Sequence, residues 1–209
     1  MDWRRGIGRA PASAAPAPSE AGAEPVEGAA PGVAALLDGV SEDRSHAVLD
    51  LGPAADLSLR VYSRFARWVR FADLLGEGGW SRAGGSAAGL LRSLPAQPEC
   101  PYDLVFAWDV LDRLFPEDRR HLVECLAKLT APNARLHAVV RPEDPLARPL
   151  RFTLLDVNRV RYEPIVAVPL PRPPLLPAEV TKLLAPFRVV HAFTLKSGLR
   201  EYVAARART

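Results

Sequence analysis

Lysine is nearly absent from this chain: of its 27 basic residues only Lys128, Lys182 and Lys196 are lysine. The arginines are spread along the sequence and offset by 24 acids, leaving a net charge of +3. No basic block interleaves with aromatics, so no nucleic-acid partner is expected. The arginine bias points instead to a GC-rich, bacterial-type genome. Cysteine is scarce as well. Cys100 and Cys125 are too few for a disulfide framework and read as reduced, buried thiols of a cytoplasmic protein. His46, His121, His137 and His191 lie far apart in the sequence. None has metal-ligand spacing, so no metal site is expected. No run of about 18 apolar residues occurs, which excludes an apolar helical membrane span. Arg4, Arg5 and Arg9 lead into no apolar stretch, so a secretory signal is not expected either.

What the chain does have is 209 residues of which 48% are hydrophobic, enough for one substantial domain and a tail. Residues 1–32 hold nine alanines, five prolines and five glycines and almost no large apolar side chain. Such a segment cannot bury enough surface to offset its ordering entropy. It reads as a disordered tail, a candidate docking arm for a protein partner, ahead of an α/β domain over residues 33–209. A short helix is expected at Val33–Val40, either packed on a sheet or serving as a lid over a ligand.

From His46 the pattern alternates between strand and helix. His46–Leu51 is a short apolar run closed by Gly52-Pro53 and predicts a buried strand. Leu57, Val61 and Phe65 then recur at helical spacing. Trp68–Leu74 and Tyr102–Ala107 predict two more strands. Pro116, Glu117 and Asp118 suit the first turn of a helix, where a missing N–H costs nothing and acids meet the positive end of the dipole. Leu122, Cys125, Leu126 and Leu129 form its buried stripe. Pro132-Asn133 reads as a turn before a strand at Arg135–Arg141. The stretch from Pro164 to Pro177 holds six prolines and predicts an extended crossing segment. Pro177 opens a helix through Leu184, and Phe187–Leu195 and Glu201–Arg206 pair as a hairpin about Ser197-Gly198. The whole predicts a doubly wound, mostly parallel sheet of about six strands. A C-terminal antiparallel hairpin joins it, helices cover both faces, and ligands belong at the carboxyl ends of the strands.

Three stretches carry a resemblance. Val48-Leu49-Asp50-Leu51-Gly52-Pro53-Ala54-Ala55-Asp56 resembles the first motif of class I S-adenosylmethionine-dependent methyltransferases, a strand and an acid leading into a glycine-rich loop. Tyr102-Asp103-Leu104-Val105-Phe106-Ala107-Trp108-Asp109-Val110-Leu111 resembles the fourth-strand motif of the same superfamily. The helix and hairpin of residues 176–206 resemble its closing strands. The resemblance implies S-adenosylmethionine as cofactor and a small-molecule methyl acceptor. It places Asp50 near the methionine end, Gly52 as the first loop glycine, and Ala54 in the second glycine's position against the cofactor. Asp73, 21 residues after Gly52, takes the place of the acid that accepts both ribose hydroxyls. Trp108 and Asp109 would face cofactor and substrate, with Asp109 the candidate general base.

The departures set up an alternative, a catalytically inactive binding or scaffold protein on the same fold. Ala54 and Asp56 replace the second and third glycines, and Pro53 removes a backbone donor. Only 28 residues separate Asp73 from Tyr102, so a strand with its helix is missing or vestigial, and one helix is expected at Ser86–Leu94. The second strand then becomes a sheet edge, where Arg70 is tolerated. Asp56 at a helix start disfavours a pyrophosphate there, which makes a nicotinamide-dependent oxidoreductase the weaker third reading. No Asn-Pro-Pro-Tyr sequence occurs, which disfavours amino methylation of nucleobases or glutamine by that route. Arg161-Tyr162 and Arg200-Glu201 either line the site mouth or form surface ion pairs.

Overall fold

Residues 46–50 need neighbours on both sides, because Ala47 and Leu49 point to one face of their strand and Val48 and Asp50 to the other, and all four are buried. The computed structural model describes residues 24–74, 94–95, 100–141, 150–165 and 174–207. In it this strand, β2 (His46–Asp50), lies parallel between β3 (Ala66–Phe71) and β4 (Tyr102–Phe106). β5 (Thr130–Val140) continues the parallel order beside β4. The C-terminal hairpin of β8 (Phe187–Thr194) and β9 (Arg200–Arg206) closes the sheet antiparallel to β5, giving the order β3-β2-β4-β5-β9-β8. Gly198 turns that hairpin at φ 82°, a conformation that glycine adopts without a steric penalty.

The chain leaves β2 for β3 on one side and returns to β4 on the other. The carboxyl ends of β2 and β4 therefore flank the point where the winding reverses, the crevice at which open α/β sheets bind their ligands. On one face α3 (Pro116–Leu129) and α4 (Pro177–Leu183) bury Leu122, Val123, Leu126, Leu129 and Val180 against Leu49, Val105, Leu136 and Ala204. On the other, α1 (Pro31–Leu37) and α2 (Asp56–Tyr62) bury Val33, Leu36, Val61 and Tyr62 against Val48, Leu104, Phe106 and Val203.

A second sheet covers this latter face. β6 (Leu150–Asp156) and β7 (Arg159–Pro164) form an antiparallel hairpin, and β1 (Val26–Ala29) pairs with β7. Leu150, Phe152 and Leu154 alternate inward from β6, and Val160 joins them from β7.

Several sequence expectations are corrected here. Residues 26–29 are a strand rather than tail; β1 is held by backbone pairing to β7, which needs no large apolar side chain. The helix expected at Val33–Val40 starts at Pro31 and packs on the sheet, with the N–H of Gly32 donating to buried Glu201 Oε2 at 2.6 Å. β3 starts two residues early and ends at Phe71. β5 starts at Thr130, absorbing Pro132-Asn133 into an irregularity where Tyr102 pairs Thr130 and Leu104 pairs Arg135; Asn133 there adopts φ 65°. Leu57 is exposed, whereas Val61 and Phe65 are buried as expected, with Ser58 and Tyr62 of α2 beside them. β3 stands at the sheet edge among the described residues, as expected. The helix expected at Ser86–Leu94 falls almost wholly outside the described residues, as does most of the proline-rich crossing segment. Among the described residues no helix is long and apolar enough to cross a membrane.

Candidate functional site

Asp50 ends β2 at the reversal point and is 2% exposed. Its Oδ1 accepts from the N–H of Gly52 at 2.8 Å and from the indole Nε1 of Trp108 at 2.6 Å. Its Oδ2 accepts from the Tyr62 hydroxyl at 2.7 Å. Burial pushes its pKa up from 3.8 to about 6, and the donors from Tyr62, Gly52 and Trp108 and the nearby His137 pull the other way. The tyrosine is pushed up in turn, by burial and then by the carboxylate it serves. Through these three donors the carboxyl ties the loop, α2 and the turn after β4 together.

Gly52 opens the loop that follows β2. A methyl group built on it would lie 3.1 Å from Asp50 Oδ1 and 3.2 Å and 3.3 Å from Cδ1 and Nε1 of Trp108. The indole therefore lies directly over the loop. Trp108 follows β4 and adopts φ 45°, a strained conformation for a residue with a Cβ. Two backbone bonds to β5 hold it: Ala107 N–H to His137 O at 2.8 Å and Val139 N–H to Trp108 O at 2.6 Å. Phe152 of β6 stacks on the indole, with centroids 5.3 Å apart and planes 4° from parallel. Any group on that side of Gly52 would meet the indole of Trp108 and the carboxyl of Asp50.

The other expected site residues fall into two groups. Asp109 is buried, and its Oδ2 accepts from Arg113 Nε and Nη2 at 2.9 and 2.7 Å and from the N–H of Leu150 at 3.1 Å. Arg113 also donates to the carbonyl of Leu150. Asp109 thus anchors β6, and a carboxylate paired in this way is poorly suited to take a proton from a substrate. Asp73 is exposed just past β3, at φ 41°, with its N–H on the carbonyl of Gly52 at 3.1 Å. Ala54 is also exposed, and Asp56 is the first residue of α2 without capping it through its side chain. Cys100 and Cys125 are both half-buried.

Sequence reasoning brought Asp50, Gly52 and Trp108 together and missed Tyr62, Phe152 and His137. Glu201 is no surface ion pair: it is 2% exposed and lies 3.3 Å from His137 Nε2 through Oε1 while Oε2 accepts from Gly32. His137 is fully buried with its ring edge-on to Trp108. Arg161 does form a surface ion pair, with Glu27 of β1. Tyr62 carried a readable signal, since a tyrosine on the buried side of a helix requires a partner for its hydroxyl.

Solved methyltransferases share this overall fold. The N-methyltransferase NodS from Bradyrhizobium japonicum WM9 superposes with a TM-score of 0.52 at 13% identity, covering 84% of this chain and 93% of that one. An S-adenosylmethionine-dependent methyltransferase from Mesorhizobium loti superposes with a TM-score of 0.51 at 12% identity, covering 84% and 96%. The chain has the class I methyltransferase fold. At these identities the likeness speaks for the fold alone. No protein-family model and no curated protein matches the sequence. Within the methyltransferase fold, the crevice of this chain is bridged by its own Asp50–Trp108 hydrogen bond.

Proposed function

We propose that this chain is a binding or scaffold protein built on the methyltransferase fold, without methyl-transfer activity while its crevice is closed. The observation that carries this reading is the Trp108 indole, seated on Gly52 and hydrogen-bonded to Asp50 across the crevice. A cofactor seated there would displace a buried aromatic side chain and leave a buried carboxyl short of a donor, both of which oppose binding. Pro53 and Ala54 work in the same direction by removing a donor and adding a Cβ. Calorimetric titration of the wild-type chain with S-adenosylmethionine and S-adenosylhomocysteine tests it. No saturable heat is expected up to millimolar ligand, and a saturable signal would overturn the reading.

One observation favours a second reading, an S-adenosylmethionine-dependent methyltransferase acting on a small molecule. Asp73 presents an exposed carboxylate beside the loop, where it suits the two hydroxyls of a ribose. Under this reading Trp108 moves off Gly52 when ligand enters. The chain then positions the acceptor rather than supplying a base, since Asp109 is committed to Arg113. Methyl transfer from labelled S-adenosylmethionine to small molecules of a cell extract would support it over the scaffold. Absence of any labelled small molecule would count against it.

A further inference from the structure

Among the described residues the crevice is closed by two aromatic rings from different segments, and the second is held in place by polar pins of its own. Trp108 belongs to the turn after β4, while Phe152 comes from β6, 44 residues later in the chain. β6 is pinned at Leu150, whose N–H donates to Asp109 and whose carbonyl accepts from Arg113. It is pinned again at Leu154, whose N–H donates to Ser58 Oγ at 2.9 Å. Both pins grip segments that flank the crevice: residues 109–113 follow the carboxyl end of β4, and α2 follows the Gly52 loop. Asp109, Arg113 and Ser58 are all buried, so these bonds are made away from water and fix β6 to those two segments.

We propose that β6 is an autoinhibitory strap. By stacking Phe152 on Trp108 it holds the indole down on Gly52 and so shuts the ligand crevice of the fold. The inference rests on the closed-crevice reading of the site and goes beyond it, because it makes the closure a removable contact. The backbone beneath the indole keeps its turn: Asp50 still receives the Gly52 N–H, and the carbonyls of Gly52 and Leu51 receive the N–H groups of Asp73 and Leu74 at 3.1 and 3.0 Å. Asp73, whose N–H makes the bond to the Gly52 carbonyl, is exposed.

The test compares the wild-type chain with Phe152→Ala, which removes the strap's ring and leaves the Asp50–Trp108 bond, and with Trp108→Ala, which removes the plug itself. S-adenosylhomocysteine is titrated calorimetrically into each, with circular dichroism and a cooperative thermal transition as the check on folding. At least tenfold tighter binding than wild type is expected for Trp108→Ala, and a smaller gain for Phe152→Ala. Folded variants that bind no more tightly than wild type overturn the strap; if wild type also fails to bind, the scaffold reading survives. Wild-type binding that is weaker than the variants by tenfold overturns the scaffold reading and keeps the strap. Equal, tight binding by all three overturns both. Should Trp108→Ala fail to fold, Phe152→Ala alone decides, with no gain in affinity as the overturning result.

Discussion

Two acids flank Gly52, one at the end of β2 and one just past β3, and the chain treats them in opposite ways. Asp50 is buried under three donors, its pKa raised to about 6. Asp73 is exposed, touching the loop through its backbone. The difference follows from what surrounds each strand end. β2 is central, so its end is enclosed by α2, the turn after β4 and the cap of β6. β3 is the edge strand among the described residues, and its end meets water. A buried acid whose oxygens all serve internal donors is a structural joint, whereas an exposed one is still available to a ligand. Breaking the joint and leaving the exposed acid intact, or the reverse, separates fold from site.

The largest effect is expected where the joint and the aromatic stack meet. Trp108→Ala removes a 3% exposed side chain and takes one donor from Asp50. Loss of a large buried aromatic costs about 3–5 kcal/mol. Relief of the left-handed strain at position 108 offsets little of it, since alanine also carries a Cβ. Urea denaturation of wild type and variant measures the difference. A loss under about 1 kcal/mol would show that the indole does not occupy the crevice in solution.

The next effect is one of pH. Burial raises the native pKa of Asp50 from 3.8 to about 6, so between these values the native state holds a proton that the unfolded chain has released. Stability from this group is therefore fully present below about pH 4 and falls as pH rises toward 6. The total loss is about 3 kcal/mol at the usual 1.4 kcal/mol per pKa unit. Asp50→Asn lacks this ionisation. Its unfolding free energy relative to wild type should rise by about that amount between pH 4 and pH 7, and a parallel pH dependence of the two would refute the assignment.

Much of this contrast between the two acids is legible in the sequence. The apolar runs ending at Asp50 and Phe106 are nearly continuous, as strands buried on both faces must be, and their order places Gly52 and Trp108 at one crevice. The short interval after Asp73 predicts an edge strand there, and β3 is at the edge among the described residues. The cap escapes such a reading. Leu150, Phe152 and Leu154 alternate with Arg151 and Thr153, and Val160 and Tyr162 alternate with Arg159 and Arg161, about a short turn at Val157-Asn158. That is the period of a half-buried hairpin, legible in principle. Its contact with Trp108 is not legible, because no local pattern says which face of the main sheet a second sheet will cover. For the same reason the roles of Asp109 and Glu201 stay hidden: their partners at positions 150 and 32 are distant in the chain.

A smaller effect isolates one bond of the joint. Tyr62→Phe keeps the ring among Phe65, Phe71 and Phe106 and removes the hydroxyl that serves Asp50 Oδ2. Leaving a buried acceptor without that donor costs about 1–3 kcal/mol. The loss should be greater above pH 6 than below pH 4, since the ionised carboxyl needs the donor more. Denaturation midpoints at the two pH values check this, and an equal loss at both would place the hydroxyl's partner elsewhere.

The smallest expected effect on stability belongs to Asp73, and it sharpens the comparison most. Asp73→Asn preserves the side-chain shape and a residue type that tolerates the left-handed φ of 41°, and it leaves the backbone bond to Gly52 in place. Surface changes of this kind stay within about 0.5 kcal/mol. In the strap-released variant Phe152→Ala, however, the same substitution should weaken S-adenosylhomocysteine binding by about tenfold, because an amide accepts through one oxygen where a carboxylate accepts through two. Stability and binding would then divide cleanly between the two acids. If Asp73→Asn leaves the affinity of the released variant unchanged, the exposed acid is an ordinary solvated residue, and the crevice recognises its ligand through other groups.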